Sequence, residues 1–226
     1  MSVTAFIDQS RTFDTTEWDL ATNTAGPDGT TDDGVYQAYV TTGNMAGTNE
    51  LQISCYEKAR AADTQRLLFQ QNLVGPQIGL WTHSPLLLTA GWSFTAKAVV
   101  GSFACGWSIR QLAVGSELYS GTSAIGSAEW SLSTDSAGPD VDTTAGSYQL
   151  FLDLFDMVSA DELQITMYEK GHSAGSQAIS YRVPLLGKRP FPMWASPAFM
   201  LMHGWDFALK AISGTITVPW SIRKAA

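Results

Sequence analysis

Two glutamates, Glu17 and Glu129, each stand immediately before a tryptophan, Trp18 and Trp130. An acid beside an indole suits a sugar cleft, and a glycosidase would need two carboxylates roughly 5–9 Å apart in it. The other repeated acids, Glu57 and Glu169, are each followed by lysine, Lys58 and Lys170, which reads as an exposed ion pair or an edge-strand charge. No serine or cysteine is expected in a nucleophile's setting, and neither a P-loop nor a dinucleotide-binding glycine pattern occurs. The three histidines, His83, His172 and His203, are far apart, and no C-x-x-C or H-E-x-x-H accompanies them. Asp28, Asp32 and Asp33 could approach a calcium ion, but they lack the EF-hand spacing, and the matching stretch offers only Asp140 and Asp142; a solvated acidic turn is expected. The residues therefore predict no catalytic group, no metal and no cofactor: the chain is not expected to be an enzyme.

Positioning such side chains is a matter of the elements beneath them, and these come in duplicate. Glu17-Trp18, Ala25-Gly26-Pro27-Asp28, Tyr36-Gln37, Glu50-Leu51-Gln52-Ile53 and Tyr56-Glu57-Lys58 all recur 112 residues later, with about 20 identities over the 42 positions from 17 to 58. Further on the offset is 113: Gly91-Trp92 recurs as Gly204-Trp205 and Trp107-Ser108-Ile109-Arg110 as Trp220-Ser221-Ile222-Arg223. Every tryptophan thus has a partner, 18 with 130, 81 with 194, 92 with 205 and 107 with 220. Two copies of this length each own a core, unlike the short repeats of a solenoid. The expected domains are 1–112 and 113–226, with the Gly-, Ser- and Thr-rich stretch from Gly115 to Ala128 as linker.

Within a copy the period is two. Leu51, Ile53 and Cys55 share a face, as do Leu163, Ile165 and Met167; so do Trp92, Phe94, Ala96 and Ala98. Gly26-Pro27-Asp28-Gly29, Gly75-Pro76 and Ser84-Pro85 interrupt the ladders. The expectation is an all-β chain of two tandem, homologous antiparallel β-sandwich or jelly-roll domains, each with six to eight short strands and no helix. Trp92, Trp107 and their partners read as core, whereas Trp18 and Trp81 could be core or stacking platforms. Cys55 and Cys105 lack cysteine counterparts in the second copy, so both read as small buried apolar residues without a disulfide.

The net charge is −8, from 13 Lys and Arg against 21 Asp and Glu, and no basic run occurs. Nucleic-acid binding and polybasic membrane attraction are not expected. The first ten residues have neither a basic start nor an apolar run, and no stretch matches a membrane span, which predicts a soluble protein made in a cytoplasm.

The chain resembles small β-sandwich structural proteins of tailed bacteriophages. The residues that carry the likeness are Glu50-Leu51-Gln52-Ile53-Ser54-Cys55-Tyr56-Glu57-Lys58, Asp63-Thr64-Gln65-Arg66 and Trp107-Ser108-Ile109-Arg110. The second copy keeps Glu162–Lys170 and Trp220–Arg223 but has Gly175-Ser176-Gln177-Ala178 in place of the Asp-Thr-Gln-Arg stretch. The resemblance implies a virion protein without cofactor or catalytic residue, assembled in the host cytoplasm. The favoured role is capsid decoration (cement), through contacts with the major capsid protein or other virion proteins, as a homo-oligomer or bound to a lattice. A tail or baseplate role, and a carbohydrate- or receptor-binding module, are the alternatives. The candidate protein-contact residues are Glu57, Lys58, Arg60, Asp63 and Arg66, where the two copies differ most.

Overall fold

Alternating side chains give each strand one face to bury, and two such sheets can bury theirs only against each other. The computed structural model describes residues 4–76, 80–89, 91–171 and 173–225, so His172 lies outside the described residues. Among the described residues there is no helix. The chain divides into two units, Met1–Gly115 and Ser116–Ala226.

The first unit runs β1 (Thr4–Phe13), β2 (Trp18–Asp19), β3 (Gly34–Thr41), β4 (Glu50–Glu57), β5 (Arg66–Val74), β6 (Leu80–Thr82), β7 (Leu86–Leu88), β8 (Ser93–Val100) and β9 (Phe103–Ala113). One sheet has the order β1-β9-β3-β6, with β7 also on β3; the other is β2-β8-β4-β5. The chain crosses repeatedly from one sheet to the other, the connectivity of a jelly roll.

The second unit runs β10 (Gly115–Ile125), β11 (Trp130–Ser131), β12 (Ser136–Ala137), β13 (Gly146–Asp153), β14 (Glu162–Lys170), β15 (Gln177–Leu186), β16 (Met193–Ala195), β17 (Phe199–Leu201), β18 (Trp205–Ser213) and β19 (Ile216–Ala225). Its sheets, β10-β19-β13-β16 with β17 on β13, and β12-β11-β18-β14-β15, repeat the first unit's order with β12 added at one edge. Nine and ten strands exceed the expected six to eight, because β2, β6, β7 and their counterparts are only two or three residues long and leave little alternation to read.

The cores are filled as the alternation requires. Leu51, Ile53, Cys55, Trp92, Phe94, Trp107 and Ile109 are buried in the first unit. In the second, Leu163, Ile165 and Met167 of β14 share one core with Tyr148, Leu150 and Leu152 of β13 and with Trp205, Phe207, Trp220 and Ile222. Burying each large side chain contributes about 1.5–3 kcal/mol. Tyr36 lies 4.5 Å from Trp92 and Tyr148 lies 4.4 Å from Trp205, ring centre to ring centre. Trp92 and Tyr36 both donate to the Asp32 carbonyl, as Trp205 and Tyr148 do to that of Thr144. Both cysteines are buried and no disulfide joins them.

Two expectations need correcting. The stretch expected as a linker is mostly strand β10, the edge of its sheet. Gly121 there is a packing residue: a Cβ on it would lie 2.8 Å from the Trp220 ring, and the Trp220 indole N–H donates to the Ser123 hydroxyl. Glu57, expected at an exposed ion pair or edge strand, is fully buried at the end of β4, which is an interior strand between β8 and β5, and its counterpart Glu169 on the interior strand β14 is half-buried.

The single inserted residue falls after Gly75 and Gly187, since β5 and β15 still align at 112 whereas β6 and β16 align at 113. Both glycines adopt positive φ, 66° and 61°, and a Cβ on either would sit about 3 Å from the carbonyl of the facing loop residue, Gly47 or Ser159. Two β-bulges are also duplicated. Leu68 and Ser180 are the extra residues in β5 and β15, and Val99 and Ile212 those in β8 and β18.

Candidate functional site

The repeated acids are absorbed by the fold. Glu17 accepts hydrogen bonds from the Tyr56 hydroxyl at 3.0 Å and from Thr95, and Glu129 accepts from the Tyr168 hydroxyl at 2.8 and 2.9 Å. Each Glu-Trp pair therefore fastens the start of a short strand to the middle of the sheet. Burial, and then the neighbouring Glu17 carboxylate, push the Tyr56 phenol up to about 12. The Arg11 guanidinium stacks 3.2 Å over the Trp18 ring, and the Trp130 indole N–H donates to Asp135. Trp92, Trp107, Trp205 and Trp220 are core side chains, Trp81 is nearly buried, and Trp18, Trp130 and Trp194 are half-buried.

A buried carboxylate organises the loop after β2 in one unit and after β11 in the other, yet it comes from different strands. In the first unit Asp19 of β2, fully buried, accepts the backbone N–H groups of Ala21 at 2.7 Å, Thr22 at 3.1 Å and Asp28 at 3.1 Å, and the hydroxyl of Ser93 on β8. In the second, serine stands on β11 and the acid on β18. Asp206 accepts the N–H groups of Ser133 at 3.3 Å and Asp140 at 2.9 Å, the Ser133 hydroxyl at 2.8 Å, and a bond from Ser131. Burial raises the Asp206 pKa, against the pull of these hydrogen bonds. The loops so held turn through Asn23 and Asp135, equivalent residues with φ of 58° and 51°.

His83 has a comparable duty. Where β6 gives way to β7, the N–H of Ala38 donates to its Nε2 at 3.0 Å, and the Gln37 side chain donates to its carbonyl at 2.6 Å. In the second unit the Ser196 hydroxyl accepts the N–H of Leu150 at 2.9 Å, and Gln149 donates to the Ser196 carbonyl at 2.7 Å. Burial lowers the His83 pKa to about 4, so the ring is neutral at physiological pH.

The five candidate contact residues lie together at the β4–β5 hairpin. The Arg60 guanidinium and Asp63 form an ion pair at 2.7 Å across the turn, and the Asp63 carboxylate also accepts the Arg60 N–H. The Lys58 side chain runs over Gly91, Glu57 accepts the Lys58 N–H at 2.8 Å, and Arg66 stands opposite Glu57 in the backbone ladder. The turn is thus braced by the Arg60–Asp63 pair.

One chemical pattern was missed in the sequence: Gly171-His172-Ser173-Ala174-Gly175 has G-x-S-x-G spacing. A nucleophile elbow needs a strand, a sharp turn and a helix. This stretch instead follows β14 and leads into strand β15. Among the described residues no three His, Cys, Asp or Glu side chains are grouped to hold a metal. In the second unit a shallow cleft of about 270 Å³ is lined by Tyr119, Ser133, Thr134, Val141, Asp142 and Thr143. The Tyr119 hydroxyl donates to Asp142 at 2.5 Å there, and that bond pushes its pKa up to about 12.

Exposed apolar residues recur at equivalent places. Val74 and Leu186 end β5 and β15, and the bulge residues Val99 and Ile212 turn outward; these four are 59, 65, 41 and 46% exposed. In each unit they flank one glutamate, Glu50 or Glu162, on the neighbouring strand. Phe155 and Val158, from the loop after β13, add to the exposed apolar surface in the second unit.

No protein-family model and no curated protein matches the sequence. Among solved structures, the PBSX exported protein XepA is 12% identical, with a TM-score of 0.31 over 100% of this chain and 86% of that one. The N-terminal CBM22 tandem domain of Paenibacillus barcinonensis Xyn10C is 10% identical, with a TM-score of 0.28 over 99% of this chain and 90% of that one. A turret protein of Sulfolobus turreted icosahedral virus is 8% identical, with a TM-score of 0.26 over the whole of both chains. These neighbours include virus proteins and a carbohydrate-binding tandem, at scores too low to carry a function across.

Proposed function

We propose that this chain is a non-catalytic structural protein of a phage virion, a decoration protein that stabilises the head through contacts with the major capsid protein. The observation that carries this reading is the pair of matched apolar ends: Val74 with Val99 in one unit and Leu186 with Ile212 in the other. A bulge re-aims a side chain, and both copies use the same bulge to hold a β-branched apolar residue in water. Duplicated contact surfaces suit a lattice, whose subunits present repeated, related surfaces. The repeated acids, meanwhile, serve the fold. Binding to heads that lack the protein tests the role. The expected result is saturation at a fixed copy number per head, weakened at least about tenfold when Val99→Lys and Ile212→Lys are combined, since buried unpaired charge is costly. Absence of binding to heads would overturn it.

A second reading rests on the cleft around Tyr119 and Asp142, whose hydroxyls, carboxylate and ring could hold a sugar. Silence of the protein on a glycan array removes that reading without touching the first.

A further inference from the structure

A sheet edge is a row of backbone groups waiting for a partner, and stable proteins guard it with short strands, charges or proline. Most edges here are guarded. The strands β2, β6, β12 and β16 have three residues or fewer. The edge strand β1 carries Asp8 and Arg11, β10 carries Glu117, and β15 carries Arg182 and Pro184. Two long edges are less guarded: β5, nine residues long, has neither charge nor proline after Arg66, from Leu67 to Val74, and β10 has neither from Leu118 to Ile125; only the β5 run reads the same in both directions about a central residue. Among the described residues, Leu67–Leu73 make no backbone hydrogen bond on the side away from β4.

The duplication shows which groups point outward. Pro184 lies opposite Gln164, as Asn72 lies opposite Gln52. Proline is accepted in an edge strand where its missing N–H would face away from the sheet. The Asn72 N–H therefore faces outward, and by the two-residue period so does that of Gln70.

The chemistry of this edge is also palindromic about Gln71. Leu68, Phe69, Gln70, Gln71, Asn72, Leu73 and Val74 read apolar, apolar, amide, amide, amide, apolar, apolar. Antiparallel pairing of two identical strands about Gln71 sets Gln70 opposite Asn72 and Phe69 opposite Leu73, like against like. It places the outward-facing residues, Gln70 and Asn72, in the hydrogen-bonded pairs and Gln71 against its own copy in a non-hydrogen-bonded pair. Both requirements of an isologous contact are met, the same surface on each partner and self-complementarity. The strip is uncharged on a chain of net charge −8, so two copies can approach along it without opposing like charges.

We propose that β5 is a dimerisation edge, at which a second copy of this chain pairs antiparallel about Gln71 and joins two four-stranded sheets into one of eight strands. This holds whether or not the chain decorates a capsid. Sedimentation of the full chain over a wide concentration range should show a monomer–dimer equilibrium. Asn72→Pro, which places in β5 the residue that β15 tolerates, removes two of the four central ladder bonds and should raise the dimer Kd about a hundredfold. Its circular dichroism and urea midpoint report folding separately. Independently, Gln71→Cys should oxidise to a disulfide dimer, because a non-hydrogen-bonded pair brings the two Cα atoms to about 4.5 Å. Gln70→Cys should not, unless mixed with Asn72→Cys. A wild-type chain that stays monomeric throughout overturns the proposal. So does a dimer indifferent to Asn72→Pro in a folded protein, or a Gln71→Cys chain that cross-links no faster than Gln70→Cys.

Discussion

Asp19 with Ser93, and Ser131 with Asp206, do one job with the acid and hydroxyl exchanged between strands. A buried carboxylate that collects several N–H groups cannot be removed cheaply, because each donor left behind keeps its desolvation cost. Asp206→Ser should therefore destabilise the second unit by about 2–4 kcal/mol. Adding Ser131→Asp, which copies the first unit's arrangement, should restore most of that loss. A double-mutant cycle by urea denaturation checks it, and additive losses would deny the exchange. His83 supplies a second test at this scale. Its pKa is held at about 4 in the fold, whereas a free imidazole titrates near 6.5, so the unfolded chain binds the extra proton between those values. Stability is complete above about pH 6.5 and falls as the pH drops towards 4. His83→Ser, with the hydroxyl that Ser196 uses in the second unit, should flatten that dependence in the first unit's thermal melts.

At the scale of the element, β10 shows composition giving way to packing. Glycine and serine usually mark flexible chain, yet Gly121 is small because the Trp220 indole occupies the space beside it. Valine is a better strand former than glycine, so a propensity argument favours Gly121→Val. The structure predicts the reverse, a loss of about 1–3 kcal/mol from overpacking, read as a lower urea midpoint with the strand content of the fold retained. The duplicated bulge at Leu68 and Ser180 was retained while its residue changed from apolar to polar, so there it is the backbone geometry that both copies keep; at Val99 and Ile212 the bulge and the β-branched apolar character were retained together.

For the whole molecule, two complete jelly rolls meet in sequence between Gly115 and Ser116. Each has its own pair of sheets and its own buried tryptophans, so each should fold alone. Fragments 1–115 and 116–226 are expected to give cooperative urea transitions and β-rich circular dichroism. A second fragment begun at Ala128 loses the β10 edge, exposes Trp220 and should fail to unfold cooperatively. If fragment 116–226 showed no transition of its own, the division would be wrong.

The all-β class, the duplication and the faces of β4, β8, β9 and their counterparts could be read in the sequence, because a period of two and a fixed offset are properties of the chain itself. The acid–hydroxyl exchange was also written there, as Glu-Trp-Asp against Glu-Trp-Ser and Trp-Ser against Trp-Asp, but its two halves stand over seventy residues apart, and only the pairing of β2 with β8 brings them into contact. That β4 and β14, with Glu57 and Glu169, are interior strands and not edges depended on strand order, which no local pattern encodes. The short strands β6 and β7 exist because β3 needs partners, and the open edge at β5 exists because nothing follows it in its sheet. The sequence determined what each strand could bury. Tertiary structure decided which strands are interior and which are edges, since hydrogen-bond partners across a sheet are chosen by the whole fold.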